Sequence, residues 1–243
     1  FNSALKDIFQ DPRPSTNYIE GIPIEDTYGF PSGHTQLGVG FWGFQIYCIK
    51  DHPKRKIIIP ILAVLLILVP ISRLVLGVHD LDDIVGGFLI GILIATIYAY
   101  IAPQIEEMVQ KKSWKWRMLV GSLGSLLLFI ISIVFCFVIL KSQVAAENIA
   151  QPCGLLASLP LAFQIEEHVV KYTIEPNKKI KNLVLGVIGV GFIFLIYLTM
   201  KFFFILIPIP YWISRFIRYY LVGITIGLFA PYILKKIQGK WKA

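Results

Sequence analysis

Residues 57–102 read IIIPILAVLLILVPISRLVLGVHDLDDIVGGFLIGILIATIYAYIA, and this stretch decides the fold. Two apolar runs flank a short polar break that contains Arg73, His79 and Asp83. Each run is long enough to cross about 30 Å of hydrocarbon, which takes roughly 17–25 helical residues. Backbone polar groups have no water to bind within lipid, so we expect both runs to be helices. The stretch therefore predicts two membrane-spanning helices whose ends meet at a polar edge.

The composition of the whole chain is typical of a membrane protein. Its 243 residues are 56% hydrophobic and 16% charged, whereas a soluble domain carries about 25% charged residues. The predicted fold class is all-α, a polytopic membrane helix bundle with about seven transmembrane helices. The predicted spans are 33–49, 57–76, 84–103, 118–140, 152–170, 181–206 and 211–234.

Two segments are expected to depart from a regular membrane-spanning helix. The fifth span, 152–170, ends in Gln164, Glu166, Glu167 and His168, so we expect it to be short, tilted or partly re-entrant. Residues 1–32 are rich in Pro, Gly, Asp and Glu and are expected to form a polar loop. The sequence begins at Phe1 rather than Met, so an earlier span or a signal peptide would not be visible in it.

The basic residues predict the orientation of the bundle. If the spans alternate, four loops or ends on one face carry sixteen of the 23 Lys and Arg residues, four in each. By the positive-inside rule that face is cytoplasmic. The remaining seven include Lys6, Arg13 and Arg73, which then lie on the extracytoplasmic face. The net charge of +8 is therefore a topology signal with some attraction to anionic lipids, and no nucleic-acid partner is expected.

Basic side chains in the polar clusters on that extracytoplasmic face indicate an anion site. The guanidinium groups of Arg13 and Arg73 bind phosphate oxygens in a bidentate manner and stay charged in a partly dry pocket. Lys6 also has a simpler interpretation, because an ammonium group at a membrane boundary can extend to water. The clusters are Lys6…Arg13-Pro14, Pro31-Ser32-Gly33-His34 and Ser72-Arg73…His79…Asp83.

The second cluster is expected to begin the first span. Ser32 is a favourable N-cap residue, and Pro31 fixes the turn that enters the helix. A helix N-terminus offers unpaired N–H groups and the positive end of a dipole, which together bind anions. Gly33 allows the backbone to approach a phosphate closely. His34, one residue into the helix, is placed to give a proton to a leaving oxygen.

The third cluster predicts an oriented histidine. His79 and Asp83 are four residues apart and share one face of a helix. A carboxylate that accepts the proton of one imidazole nitrogen leaves the other nitrogen free to attack phosphorus. Asp82 could also reach His79 and is the rival orienting carboxylate. Asp80 and Asp82 also have a structural explanation, because negative charges at the start of a helix interact favourably with the helix dipole. A metal site is a less favoured alternative, because no further ligands are grouped nearby. Whether His34 or His79 attacks is left open by these residues.

Taken together, the three clusters resemble the signature motifs of the type 2 phosphatidic acid phosphatase superfamily. These are lipid-phosphate phosphatases whose active sites are similar to those of vanadium haloperoxidases. The family pattern is Lys, six residues, Arg-Pro; then Pro-Ser-Gly-His; then Ser-Arg, five residues, His, three residues, Asp. The chain reads Lys6-DIFQDP-Arg13-Pro14, Pro31-Ser32-Gly33-His34 and Ser72-Arg73-LVLGV-His79-DLD-Asp83, so all eleven specified positions agree.

The resemblance, which covers residues 1 to about 103, implies a role for each motif residue. His79 is the nucleophile, Asp83 orients it, and His34 is the general acid that protonates the leaving group and later assists water. No metal and no cofactor are implied, because three cations already neutralise the phosphoryl group. The implied phosphate-binding residues are Lys6, Arg13, Ser32, Gly33 and Arg73.

The resemblance also implies a function and a location. We expect an integral-membrane phosphatase that hydrolyses a lipid phosphate monoester or diphosphate through a phospho-histidine and releases inorganic phosphate. Residues 1–103 would form the catalytic part, and residues 104–243 further helices of the same membrane domain. The active site is expected at the periplasmic face of a bacterial inner membrane, or at the lumenal face of the endoplasmic reticulum in a eukaryote. The alternatives are a headgroup transferase with the same intermediate, and a lipid or ion transporter.

Overall fold

A computed structural model describes residues 2–14, 27–175 and 177–240 of the chain. The described residues form helices and connecting segments, with no strand among them. The predicted all-α class is therefore confirmed. The chain divides into two compact units, Phe1–Lys111 and Lys112–Ala243.

In the first unit, close packing of two helices brings the second and third motifs together. A Cβ atom at Gly87 would lie 2.6 Å from the carbonyl oxygen of Ser32, and one at Gly91 would lie 2.8 Å from that of Gln36. Small residues thus let the two backbones approach each other, as is common between membrane helices. The helices of this unit are α1 (Asn2–Phe9), α2 (Gly33–Cys48), α3 (Arg55–Val75) and α4 (Leu81–Gln110), and the close pair is α2 with α4.

The prediction of a loop throughout residues 1–32 is wrong for α1. The Asn2 side-chain amide donates hydrogen bonds to the Pro31 carbonyl oxygen at 3.0 Å and to Gln36 Oε1 at 2.8 Å. The rings of Phe9 and Phe30 meet edge to face with centroids 4.9 Å apart. A helix of eight residues is marginal on its own, so these tertiary contacts stabilise it. Residues 15–26 of the predicted loop lie outside the described residues.

The second unit is organised around one helix that packs on two neighbours. A Cβ atom at Gly154 would lie 2.5 Å from the Phe216 carbonyl oxygen, so the central helix and a later one approach closely there. The helices are α5 (Trp114–Val138), α6 (Gln143–Ile165), α7 (Lys179–Ile205), α8 (Tyr211–Ile224) and α9 (Ala230–Lys240), with π-helical turns at Glu166–Val170 and Thr225–Phe229. The central helix is α6, which packs on α5 and α8.

Each of the seven predicted spans falls on helix, and five segments of the described chain are long and apolar enough to cross a membrane. They are α3, α4, α5, α7 and the joined segment Tyr211–Gly239. The other two predicted spans correspond to α2, which has only 16 residues, and to α6, which contains two prolines and several polar side chains. In the most apolar window of α3 only 6% is buried within the protein, as expected of a lipid-facing helix. The predicted number of about seven is thus roughly consistent with the structure.

Candidate active site

The centre of the candidate site is a buried pair formed by His79 and Asp83. The distance from His79 Nδ1 to Asp83 Oδ2 is 2.7 Å, and the two side chains are 2% and 0% exposed. Asp80 caps α4, because its side chain accepts from the Asp83 N–H while Asp83 Oδ2 accepts from the Asp80 N–H, each at 3.3 Å. Asp82, the rival orienting carboxylate, is exposed on the same turn. The helix cap therefore holds the carboxylate that contacts the histidine.

A tight turn between α3 and α4 brings His79 to this position. Gly77 has a φ angle of 66°, which a residue without a Cβ atom adopts at little cost. The N–H of Gly77 donates to the Leu74 carbonyl at 3.0 Å, and the N–H of Val78 donates to the Arg73 carbonyl at 3.3 Å. The helix that carries Arg73 thus ends directly beside the histidine.

The start of α2 lies against the start of α4. The Ser32 N–H donates to the Asp83 carbonyl at 3.0 Å. The Ser32 hydroxyl accepts from the Thr35 N–H at 3.4 Å, so the predicted N-cap is confirmed. His34 is exposed one residue into the helix. A Cβ atom at Gly33 would lie 2.8 Å from Asn2 Oδ1, so this glycine also makes room for α1.

The cations of the first motif are anchored on backbone carbonyl groups around the histidine. Lys6 is 8% exposed and donates to the Tyr28 carbonyl, so its ammonium group does not extend to water. Arg13 donates from Nε to the Thr27 carbonyl at 2.7 Å and from Nη1 to the Val78 carbonyl at 2.9 Å. Because Val78 precedes His79, this second bond ties the first motif to the third.

The third cation belongs to the end of α3. Arg73 is half-buried, and its Nε donates to the Ser72 hydroxyl at 3.3 Å. That hydroxyl in turn donates to the Val69 carbonyl at 2.7 Å. Ser72 thus links the guanidinium group of Arg73 to the last turn of the helix.

A largely apolar cavity opens beside the buried histidine. Its volume is about 560 Å³. The lining combines residues from the first and third motifs with the first turn of α4, and most of them are aliphatic. This combination suits a substrate with one polar end and one apolar end. The lining residues are Pro14, Leu74, Val75, His79, Asp80 and Leu81.

Asp11, within the spacer of the first motif, was not singled out in the sequence and completes an acidic cluster. The carboxylate oxygens of Asp11, Asp80 and Asp83 lie within 4.8 Å of one another. Burial and the negative charges of Asp83 and Asp82 raise the pKa of Asp11. Burial also raises the pKa of Asp80. Oxygen ligands of this kind suit a hard divalent cation, so metal independence stays a prediction that a chelator tests.

Gly29 is a further residue of the site that no sequence motif indicates. A Cβ atom there would lie 2.9 Å and 3.0 Å from the two carboxylate oxygens of Asp83. The Gly29 N–H donates to the Asp11 carbonyl at 2.8 Å, so the backbone passes between the two acidic residues. A single glycine in a loop carries no motif signal, and only the fold reveals the need for it.

Comparison with known families accounts for most of the chain. Residues 1–107 match the family described as PAP2 superfamily, and residues 150–240 match the PAP2 superfamily phosphatase, transmembrane extension. The chain contains a PAP2 superfamily domain and a PAP2 transmembrane extension. The resemblance to type 2 phosphatidic acid phosphatases is thereby confirmed, and the apolar helices together with the transmembrane extension make the chain an integral membrane protein. The roles of individual residues stay predictions.

Three curated relatives share part of the sequence. Phosphatidylglycerophosphatase B of Bacillus subtilis (strain 168) is 30% identical over 115 residues, which cover 45% of this chain and 55% of the relative. Dolichyldiphosphatase of Saccharomyces cerevisiae is 32% identical over 118 residues, 44% of this chain and 48% of the relative. Lipid phosphate phosphatase delta of Arabidopsis thaliana is 26% identical over 123 residues, 45% of this chain and 30% of the relative. The chain thus spans about half the length of these relatives or less. No solved structure matches it.

Proposed function

We propose that this protein is a lipid phosphate phosphatase that hydrolyses a phosphate monoester or diphosphate and releases inorganic phosphate. The observation that carries the proposal is the buried contact of 2.7 Å between His79 and Asp83 at the edge of an apolar cavity. A histidine that is buried and held by a carboxylate has one nitrogen in a fixed hydrogen bond and the other available for chemistry.

In the first step His79 is the nucleophile. Its Nδ1–H donates to Asp83, so the lone pair of Nε2 attacks phosphorus opposite the leaving oxygen. The P–N bond forms while the P–O bond to the lipid breaks, and His34 gives a proton to the departing oxygen. The phospho-histidine carries a positive charge on its ring, which the carboxylate of Asp83 stabilises.

In the second step water completes the hydrolysis. His34, now neutral, accepts a proton from a water molecule whose oxygen attacks phosphorus. The P–N bond breaks, its electron pair returns to His79, and inorganic phosphate leaves. The exposed position of His34, one residue into α2, suits a group that must meet both a leaving oxygen and water.

The basic side chains stabilise the charge that gathers on the phosphoryl oxygens. Phosphoryl transfer depends mainly on positioning and electrostatic stabilisation, and fixed donors need no rearrangement during the reaction. The hydrogen bond from Arg13 to the Val78 carbonyl supports a place for Arg13 next to the nucleophile. The proposed oxygen-binding set is Lys6, Arg13, Arg73, the Ser32 hydroxyl and the Gly33 N–H.

The substrate is proposed to be an amphipathic phosphate at the membrane surface. Aliphatic residues make up most of the cavity beside His79. The relatives are named for phosphatidylglycerophosphate, for dolichyl diphosphate and for lipid phosphates in general. The positive-inside pattern supports an active site on the extracytoplasmic face, and we propose the inner membrane of a bacterium as its location.

The test is release of inorganic phosphate by the purified protein in detergent from a panel of lipid monophosphates and diphosphates. With EDTA present, we expect the wild-type protein to release phosphate and His79→Ala to release none. Release that needs an added acceptor lipid would assign a headgroup transferase instead. Loss of activity with EDTA that a divalent cation restores would contradict metal independence. Full activity of His79→Ala in cells would contradict catalysis and favour a transporter.

A further inference from the structure

Two arginines in the second unit, one buried and one half-buried, have no carboxylate partner among the described residues. Arg218 is 4% exposed and Arg215 is half-buried. They are three residues apart on α8 and therefore share one face of the helix. Buried arginines are normally paired, because an isolated charge away from water is costly.

The contacts of both arginines are neutral. Arg215 donates to Asn148 Oδ1 at 3.4 Å and to Gln151 Oε1 at 2.8 Å, and both acceptors are amide oxygens on α6. The guanidinium carbon of Arg218 lies 5.4 Å from the ring centre of Tyr197 and 5.6 Å from that of Tyr219. The Nε atoms of both arginines are enclosed without a hydrogen-bond partner in the described part of the chain.

The α-helices of this unit offer one carboxylate near these charges. Glu147, on α6, is the only Asp or Glu in the α-helices α5, α6, α7, α8 and α9 themselves, and Glu166 and Glu167 belong to the π-helical turn at the other end of α6. The Oε1 atom of Glu147 accepts a hydrogen bond from Gln143 at 3.0 Å, and among the described residues Glu147 forms no ion pair. The positive charge of the two arginines is therefore not neutralised by these helices.

The position of the arginines along α8 sets their depth in the membrane. Arg218 is seven residues beyond Tyr211, which is about 10 Å along a helix. Tyr211 and Trp212 suit the membrane–water boundary. The guanidinium groups thus lie at or just below the depth of phospholipid headgroups.

Further basic residues accompany these arginines on the predicted extracytoplasmic face, where the positive-inside rule indicates few. Of the seven Lys and Arg residues assigned to the extracytoplasmic face, three belong to the phosphatase motifs. The other four are all in the second unit. Lys201, one of them, is exposed four residues after Tyr197 on α7, so it shares a helix face with that ring. The four residues are Lys141, Lys201, Arg215 and Arg218.

We propose that Arg215 and Arg218, with the side-chain amides of Asn148 and Gln151, form an anion site that binds the phosphate group of a phospholipid. The planar guanidinium fork matches phosphate oxygens, and the amide NH₂ groups are further donors while their oxygens accept from Arg215. The site goes beyond the proposed phosphatase function and does not depend on it. Packing of Arg218 against the rings of Tyr197 and Tyr219 would not by itself account for the two enclosed Nε atoms. It would also leave the positive charge of the two arginines without a counter-charge.

The experiment is a thermal unfolding series on the purified protein in a neutral detergent. The additives are phosphatidylglycerol, phosphatidylcholine and inorganic phosphate, each titrated separately. The variants are Arg215→Gln, Arg218→Gln and the double substitution. The matched control is Lys236→Gln, because the Lys236 ammonium also lies over a tyrosine, 4.6 Å from the ring centre of Tyr232, near the opposite end of the same apolar segment.

The expected signature separates ligand binding from packing. Phosphatidylglycerol should raise the Tm of the wild type and of Lys236→Gln, and each single arginine variant should need at least about 10-fold more lipid for the same shift. The double variant should show no shift. Phosphatidylcholine, whose choline compensates the phosphate charge, should shift the wild type less. Without lipid, Arg218→Gln should be at least as stable as the wild type, because an unpaired buried charge is removed.

Each other outcome has a definite meaning. An equal shift by phosphatidylglycerol in the wild type and the double variant overturns the proposal, as does the absence of any shift. If Arg218→Gln is destabilised by the same amount with and without lipid, Arg218 has a packing role, and this result also overturns the proposal. An arginine-dependent shift by inorganic phosphate alone identifies the free ion as the ligand. If the double variant does not fold, Arg215→Lys is used instead, because it keeps the positive charge and removes the guanidinium fork. If that variant needs no more phosphatidylglycerol than the wild type for the same Tm shift, the result counts against the site.

Discussion

The two units of this protein bury basic side chains in opposite surroundings. In the first unit Lys6 and Arg13 are anchored on backbone carbonyl groups, in a site with a histidine and several carboxylates. In the second unit the contacts that Arg215 and Arg218 make with the described residues are amide oxygens and aromatic rings. Cations around a nucleophile and its orienting carboxylate can carry out a reaction, whereas cations without a nucleophile can only bind. This difference is the basis for our proposals of catalysis in the first unit and anion binding in the second.

Removal of the nucleophile should have the largest effect and would show whether chemistry resides in the first unit. His79→Ala is expected to lower phosphate release by about 10⁶-fold, to the limit of detection, as for other enzymes that lose a nucleophile. The measurement is phosphate release from a lipid phosphate in detergent. His52→Ala is the control, because His52 is exposed in a different loop. Appreciable turnover by His79→Ala would remove the basis for the assignment.

Removal of the orienting carboxylate should come next. Asp83→Asn is expected to lower kcat by about 10⁴-fold, since the wrong imidazole tautomer is then held, while KM changes little. Asp82→Asn should behave like the wild type, because Asp82 is exposed and His79 contacts Asp83. The reverse result, an inactive Asp82→Asn and an active Asp83→Asn, would show that the orienting carboxylate is Asp82.

Removal of the proton donor should have a somewhat smaller effect. His34→Ala is expected to lower turnover by about 10²–10⁴-fold, the usual contribution of general acid catalysis. Because the same residue activates water in the second step, the variant should accumulate phosphorylated enzyme. Labelling with a radioactive phosphate donor measures this accumulation. Wild-type turnover in His34→Ala would exclude the residue from both steps.

Crowding the carboxylate should have a moderate effect on stability and turnover. Gly29→Ala places a Cβ atom 2.9 Å from an oxygen of Asp83. We expect a loss of about 1–3 kcal/mol of stability, as for other overpacked sites, together with reduced turnover. Gly124→Ala is the matched control, because no atom lies within 4 Å of its Cβ position. Equal thermal unfolding and equal kcat for the two variants would argue against a tight backbone passage beside Asp83.

The smallest predicted effect concerns the excess of carboxylates in the first unit. The pKa of Asp11 is raised above 3.8 in the folded protein, so the folded state holds this proton more tightly than the unfolded state. The contribution of Asp11 to stability therefore falls as the pH rises from about 3.8 through the raised pKa. Asp11→Asn should have a slightly higher Tm than the wild type at pH 7, and the two Tm values should converge below about pH 3. A difference that does not depend on pH would contradict this origin.

The sequence predicts most of the helices and the central pair of the candidate site for physical reasons. A span such as α3 is fixed by its length and hydrophobicity, because lipid leaves the backbone no alternative to a helix. The contact between His79 and Asp83 is also local, although His79 lies in the turn before the Asp80 N-cap and does not, as predicted, share a helix face with Asp83. Both signals are local, so neither depends on how the rest of the chain packs.

Other features depend on tertiary contacts that the sequence does not reveal. The helix α1 is too short to be predicted alone and is fixed by Asn2 and Phe9 against distant residues. Asp11 joins the acidic cluster only because the first motif folds over the start of α4. The burial of Arg218 arises from the packing around α8. In sequence this residue resembles an ordinary boundary cation.

Attack of His79 on phosphorus can be tested directly by trapping the intermediate. The His34→Ala variant is mixed with a lipid phosphate and quenched in alkali, because a P–N bond survives alkali better than acid. Mass spectrometry then locates the phosphate on the chain. We expect phosphorylation of His79, and no phosphorylation when His79→Ala is added to the same variant. Phosphate on any other residue, or turnover with an unmodified His79 throughout, would contradict attack by His79.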